Sequence, residues 1–249
     1  MPKTIGLIAG TGFYDLPALK DAQSKEVETA YGIASVKSGQ LSGVNLVFLT
    51  RHGSGHSIPP HLINYRANIK AMSDLGVTGI IAINVVGGID SKLNPGDLCL
   101  IDDFIDFTSG RQHTYSDGSK PGVQHVDLTR PYDGKIQSAL RQSAKESGIL
   151  LHENGVYAGF NGPRFETPSE IRLAALAGAT VVGMTGCPEV SLARELGIAY
   201  ASIALVVNPA AGLSEAEITM DEINKALEVG KSKALKVIEG ALKVLAQSE

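Results

Sequence analysis

Six polar, glycine-containing stretches each follow an apolar run, and they hold most of the side chains able to do chemistry in this chain. In AGTGFYD (residues 9–15), Gly10 and Gly12 flank Thr11, so the backbone can approach a ligand closely and turn N–H groups toward an anion. A dinucleotide fingerprint is left incomplete, because Asp15 stands where its third glycine belongs. A plain tight turn is the alternative. RHGSGHSIPPH (51–61) offers the planar fork of Arg51 and a further donor on His52, an oxyanion clamp unless the two are only a solvated surface pair. Gly53 and Gly55 argue against a helix that would bring His52 and His56 together around zinc. In INVVGGID (83–90), the Val85 amide can face an anion and Gly87 and Gly88 permit a turn. NGPRFET (161–167) sets Glu166 beside Phe165: an aromatic ring stacks on a flat heterocycle, and a carboxylate accepts from a ring N–H. Glu166 equally suits the start of a helix, where the dipole favours an acid. Thr185 in VGMTG is free to hydrogen-bond at a strand tip, before Pro188 and Glu189 open a helix. LVVNPAAG (205–212) ends on Asn208, an amide that donates and accepts and that serves either a turn or a ligand.

These stretches are spaced by elements of two kinds. Strands are expected at 4–10, 44–50, 79–86, 97–102, 155–160, 180–184 and 198–207, several of them apolar on both faces as strands covered by two helical layers are. Ile63, Ala67, Ala71 and Leu75 recur at helical spacing before Gly76, and KIQSALRQSAKESG and PSEIRLAALAG repeat the pattern. Residues 220–246 read as one long amphipathic helix or two. The expectation is a single α/β domain over residues 1–249, a mainly parallel or mixed sheet flanked by helices, with ligands at the carboxyl ends of strands. A formal charge of −4 does not favour nucleic acid, and no run approaches the roughly 20 apolar residues of a membrane span. The opening residues read as a first strand instead of a secretory signal. Cys99 and Cys187 lack metal-ligand spacing and read as reduced packing residues of a cytoplasmic protein.

Taken in order, the stretches resemble the trimeric purine nucleoside phosphorylase family, and especially its methylthioadenosine-phosphorylase branch. The resemblance runs from IGLIAGTGFYD through RHGSGHSIPPHLINYRANI, NVVGGI, GPRFET and VVGMTGCPEVSLARELGI into the C-terminal helix, nearly the whole chain. It implies a nucleoside-phosphorylase fold and a homotrimer. The activity it implies is reversible phosphorolysis, with inorganic phosphate as co-substrate and neither cofactor nor metal. The family's phosphate residues fall on Thr11, Arg51, His52, the backbone near Val85, and Thr185; its sugar-contacting methionine falls on Met184.

The chain departs from that branch at the base. Two acids common after the strand-end motif are replaced by Val207-Asn208-Pro209-Ala210, and Glu166 stands where Ser is usual. Both features resemble the 6-oxopurine phosphorylases, in which Glu and Asn suit a purine with N1–H and O6. At the sugar end, Ile223, one turn from Met220, occupies the place of a 5′-hydroxyl-facing His, and an apolar wall suits a methylthio group. The combination specifies S-methyl-5′-thioinosine, yielding hypoxanthine and 5-methylthioribose 1-phosphate. 5′-Methylthioadenosine and general 6-oxopurine nucleosides are the alternatives; a dinucleotide-binding oxidoreductase and a non-catalytic nucleoside binder are rivals of other classes. His61, Asn64 and residues 109–115 are left without a role.

Overall fold

The computed structural model describes residues 3–14, 16, 19, 22–118 and 123–247. Asp15, which interrupts the glycine fingerprint, lies outside them. Apolar runs with both faces covered form the centre of the sheet. These are β1 (Thr4–Ala9), β4 (Val44–Thr50), β5 (Gly79–Gly88) and β9 (Ala199–Pro209), joined in parallel as β4–β1–β5–β9. Because side chains alternate across a strand, neighbouring residues feed opposite layers. Leu7, Ile81 and Ile203 pack with α2 (Gly134–Ser147) and α5 (Met220–Gln247). Ile8, Ile80 and Tyr200 pack with α1 (Tyr65–Asp74) and α4 (Glu189–Glu195). The C-terminal segment is therefore one helix, its buried stripe running from Ile223 to Leu245.

Three further strands, β6 (Leu98–Asp106), β7 (Leu151–Gly159) and β8 (Val181–Gly183), complete a ring. β8 joins the end of β5 where β1 stops, β7 follows β8, β6 follows β7, and β6 returns to β9, which is already paired with β5. At the other end of the nine-stranded mixed sheet lie β3 (Gly32–Leu41) and β2 (Gln23–Thr29), an antiparallel pair absent from the sequence expectation. Gly87 and Gly88 also depart from it. They do not turn but continue β5, pairing with Val182 and Val181 on one side and with Asn208 and Pro209 on the other.

Helix starts are set by side-chain caps. Asp133 accepts from the amides of Lys135 and Ile136 ahead of α2, which Gly148 closes in a left-handed conformation. Before α3 (Pro168–Leu176), Thr167 and Glu170 form a capping box, and the acid that serves this helix start is therefore Glu170. Glu166 is released for another role.

Candidate active site

A cleft of about 230 Å³ opens where the strands end. It gathers Gly10 and Thr11 after β1, His52 and His56 after β4, and Val85, Val86 and Gly87 from the end of β5. Phe165 and Glu166 enter before α3, Met184 and Thr185 after β8, and Asn208 and Ala210 from the end of β9. Ile218, Met220 and Ile223 line it from the start of α5 and the loop before it. Of the residues singled out in the sequence, Arg51 and Pro209 are not part of this lining. Pro209 is exposed and lines a neighbouring hollow together with Val207, Asn208 and Ala210.

At the purine-like end, a register shift between β5 and β9 at Val86/Gly87 brings Asn208, not Val207, opposite Gly87. Such a bulge re-aims the side chains that follow it. Gly87 leaves the space this needs, since a Cβ there would lie 3.3 Å from Ala210 Cα and 3.4 Å from Asn208 Nδ2. Asn208 Nδ2 donates to the Pro209 carbonyl (2.7 Å), which fixes the amide and leaves its second N–H uncommitted among the described residues. Glu166 is 8% exposed, and its Oε1 is buried without a hydrogen-bond partner. Burial raises its pKa above the ordinary glutamate value, with Glu170 adding a smaller push. A carboxylate so placed lacks a donor, and a ring N–H supplies one. Phe165 keeps 45% exposure beside it, a ring face open to a flat partner.

The opposite end is built on Tyr157. Its buried hydroxyl accepts from the amides of Thr185 and Gly186, both at 3.0 Å, so the polar hinge after β8 is held from beneath. A Cβ at Gly183 or Gly186 would fall within 3.0 Å of the Tyr157 ring system. The Thr185 hydroxyl donates to Asn84 Oδ1 (3.0 Å), and Asn84 in turn donates to Ser202 (2.7 Å). Arg111, within the stretch left open by the sequence, donates to the carbonyls of Phe160, Asn161, Met184 and Cys187, clasping the two loops that flank the cleft. Asn64 caps α1 by accepting from Ala67 and donates to Tyr31, a structural role, while His61 is exposed. Replacing Tyr157 with Phe leaves two buried amides unpaired at about 1–3 kcal/mol each. With the phosphate role that the family resemblance implies for Thr185, the expected result is a phosphate KM raised about tenfold with a smaller change in nucleoside KM, checked by varying each substrate at saturation of the other.

Arg51 corrects the sequence expectation. The fork expected to grip an anion is closed on Glu189: Nε donates to Oε2 (2.7 Å) and Nη2 to Oε1 (2.6 Å), with both side chains fully buried. A third donor, on Nη1, goes to the Ile83 carbonyl, and the Tyr200 hydroxyl donates to Glu189. A guanidinium taken out of water needs such a partner, because an uncompensated charge there is prohibitive. Glu189, read from sequence as an acid at a helix start, is thus the counter-ion of Arg51. Arg51 still bears on the cleft from behind: Nη1 and His52 Nε2 each lie 3.6 Å from the point where a Gly10 Cβ would sit. Gly12, by contrast, has φ +82 and packs on Leu227, so its freedom serves the fold. His52 Nδ1 lies 2.8 Å from the Ile58 carbonyl, and burial drives its pKa down to about 4. The neutral ring must donate from Nδ1, which leaves a lone pair on Nε2.

Cys99 and Cys187 are free and buried. Among the described residues, no three His, Cys, Asp or Glu are grouped to hold a metal, and no helix is long and apolar enough to cross a membrane.

The architecture is that of an α/β protein in which a mixed sheet lies between helical layers and a ligand-sized cleft opens at its strand ends. The chain belongs to the Phosphorylase superfamily, whose sequence pattern matches residues 4–243. It is similar to the 6-oxopurine nucleoside phosphorylase of Pyrococcus furiosus, 42% identical over 98% of this chain and 94% of that one. It is also similar to a Pseudomonas syringae pv. tomato protein named "Probable S-methyl-5'-thioinosine phosphorylase", 44% identical over 91% of this chain and 93% of that one. Among solved structures, methylthioadenosine phosphorylase from Schistosoma mansoni in complex with adenine superposes with a TM-score of 0.92. It is 32% identical, and the match covers 99% of this chain and 93% of that one.

Proposed function

We propose that this protein catalyses reversible phosphorolysis of a 6-oxopurine nucleoside, with S-methyl-5′-thioinosine as preferred substrate and hypoxanthine and 5-methylthioribose 1-phosphate as products. The observation that carries the base assignment is the buried, partnerless Oε1 of Glu166 in the cleft that Asn208 also lines. Hypoxanthine presents N1–H to the carboxylate and N7 to the one free N–H of the amide. Adenine would set the N1 lone pair against Glu166, and a mispaired buried polar contact costs discrimination on the order of 10⁴. At the sugar end Ile223, Ile218 and Met220 form an apolar wall without a polar side chain among them, suited to a thioether. The relatives named for 6-oxopurine nucleosides and for S-methyl-5′-thioinosine support the same base.

In mechanism, cleaving the N-glycosidic bond builds positive charge on the sugar and negative charge on the purine. We assign phosphate to the end of the cleft lined by Thr11, Val85 and Thr185, with Arg51 behind, and the ribose to Met184, as the family resemblance implies. Bound phosphate stabilises the sugar cation and attacks the anomeric carbon, while the free N–H of Asn208 receives the charge arriving on the base. Positioning and electrostatics suffice, with inorganic phosphate as co-substrate. A homotrimer in the cytoplasm fits the family resemblance. In an assay of methylthioinosine, methylthioadenosine, inosine and adenosine, methylthioinosine is expected to give the highest phosphate-dependent kcat/KM. Faster methylthioadenosine cleavage overturns the base assignment, and faster inosine cleavage overturns the sugar assignment.

A further inference from the structure

The phosphate end of the cleft is short of donors. Arg51 has spent three N–H groups on Glu189 and Ile83, and neutral His52 offers a lone pair at Nε2. One group at this end has no assigned part. His56 lines the same cleft, its ring tilted by 32° against that of His52 with centroids 4.4 Å apart and met edge-on by Tyr14 at 5.9 Å. Its Nδ1 is hydrogen-bonded to the Tyr14 hydroxyl. Of the two partners the phenol is the more acidic donor, so its proton is the one directed at His56. Nδ1 is then the acceptor, and the ring's proton sits on Nε2. The backbone of His56 has φ 59, a left-handed conformation that costs energy in a non-glycine residue and gathers at ligand sites.

Resting on the phosphorolysis reading above, we propose that His56 is a further phosphate-binding residue, donating from Nε2 to the bound oxyanion, with Tyr14 as the positioning residue that fixes its tautomer. Tyr14 sets the orientation of His56, and His52 supports the ring. Among the described residues the groups facing His56 are Tyr14, His52 and, behind His52, Arg51, none of them an acid that would repel phosphate.

The test uses His56→Asn, because asparagine adopts the left-handed backbone more readily than most residues, together with Tyr14→Phe. His56→Asn is expected to raise the phosphate KM at least tenfold while the nucleoside KM stays within twofold. Tyr14→Phe is expected to raise it less. Long-range ¹H–¹⁵N spectra of the wild type are expected to show His56 protonated at Nε2 alone, and Tyr14→Phe to lose that single tautomer. A phosphate KM within twofold of wild type in His56→Asn, or a wild-type His56 protonated at Nδ1, overturns the proposal. Wild-type turnover that does not depend on phosphate would instead overturn the phosphorolysis reading, so the two failures are told apart.

Discussion

Asn208→Asp is expected to lower kcat/KM for the 6-oxopurine nucleoside by about 10²–10³, the usual effect of deleting one donor aimed at developing negative charge. The substitution is nearly isosteric, so the bulge at Val86/Gly87 and the close approach of Gly87 persist. The donor, however, becomes an acceptor in a cleft that already holds the Glu166 carboxylate. A leaving hypoxanthine would carry its new charge toward two acids. A 6-amino purine has an N–H₂ for the new carboxylate to accept from, so the ratio of 6-amino to 6-oxo turnover should rise even as both rates fall. Steady-state kinetics on methylthioinosine and methylthioadenosine measure this ratio. An unchanged ratio, with 6-oxopurine turnover intact, would mean that Asn208 does not touch the base.

The second large effect is on stability. Glu189→Gln keeps the shape of the side chain but leaves the Arg51 guanidinium buried without a counter-charge, expected to cost about 3–5 kcal/mol. For a chain of this length that is a fall in melting temperature of roughly 6–20 °C. Tyr200→Phe removes only one hydrogen bond to the same carboxylate and should cost about 1.5–3 kcal/mol. Thermal unfolding of the two variants beside wild type gives the order. A Glu189→Gln protein melting within two or so degrees of wild type would mean the pair contributes little, as well-solvated pairs do.

The elements that build the cleft were legible because their apolar residues advertise them. β4 is legible from Val44 to Thr50, where the apolar run from Leu46 to Leu49 ends just ahead of Arg51. β2 and β3 were not, since β2 buries Val27 alone and most of its residues are polar, like those of a surface loop. At the site, the strand-exit motifs named most of the lining residues. What they could not name is what each was bonded to. The partner of Arg51 lies 138 positions away in sequence, and the support of the Thr185 hinge lies 28 away at Tyr157, a residue that reads as ordinary strand packing. Type and spacing reveal a donor, but only the fold reveals whether it is already spent.

The ring formed by β5, β8, β7, β6 and β9 bears on how one copy of this chain meets another. A strand joined on both flanks has few backbone groups left to offer a neighbour, and among the described residues β2 is the one strand paired on a single flank. That flank carries Lys25, Glu26 and Glu28, all exposed, around a lone buried Val27. An incoming strand would have to strip water from charges of both signs and would cover almost no oil in return. The sheet is therefore guarded against growing end to end into fibrils.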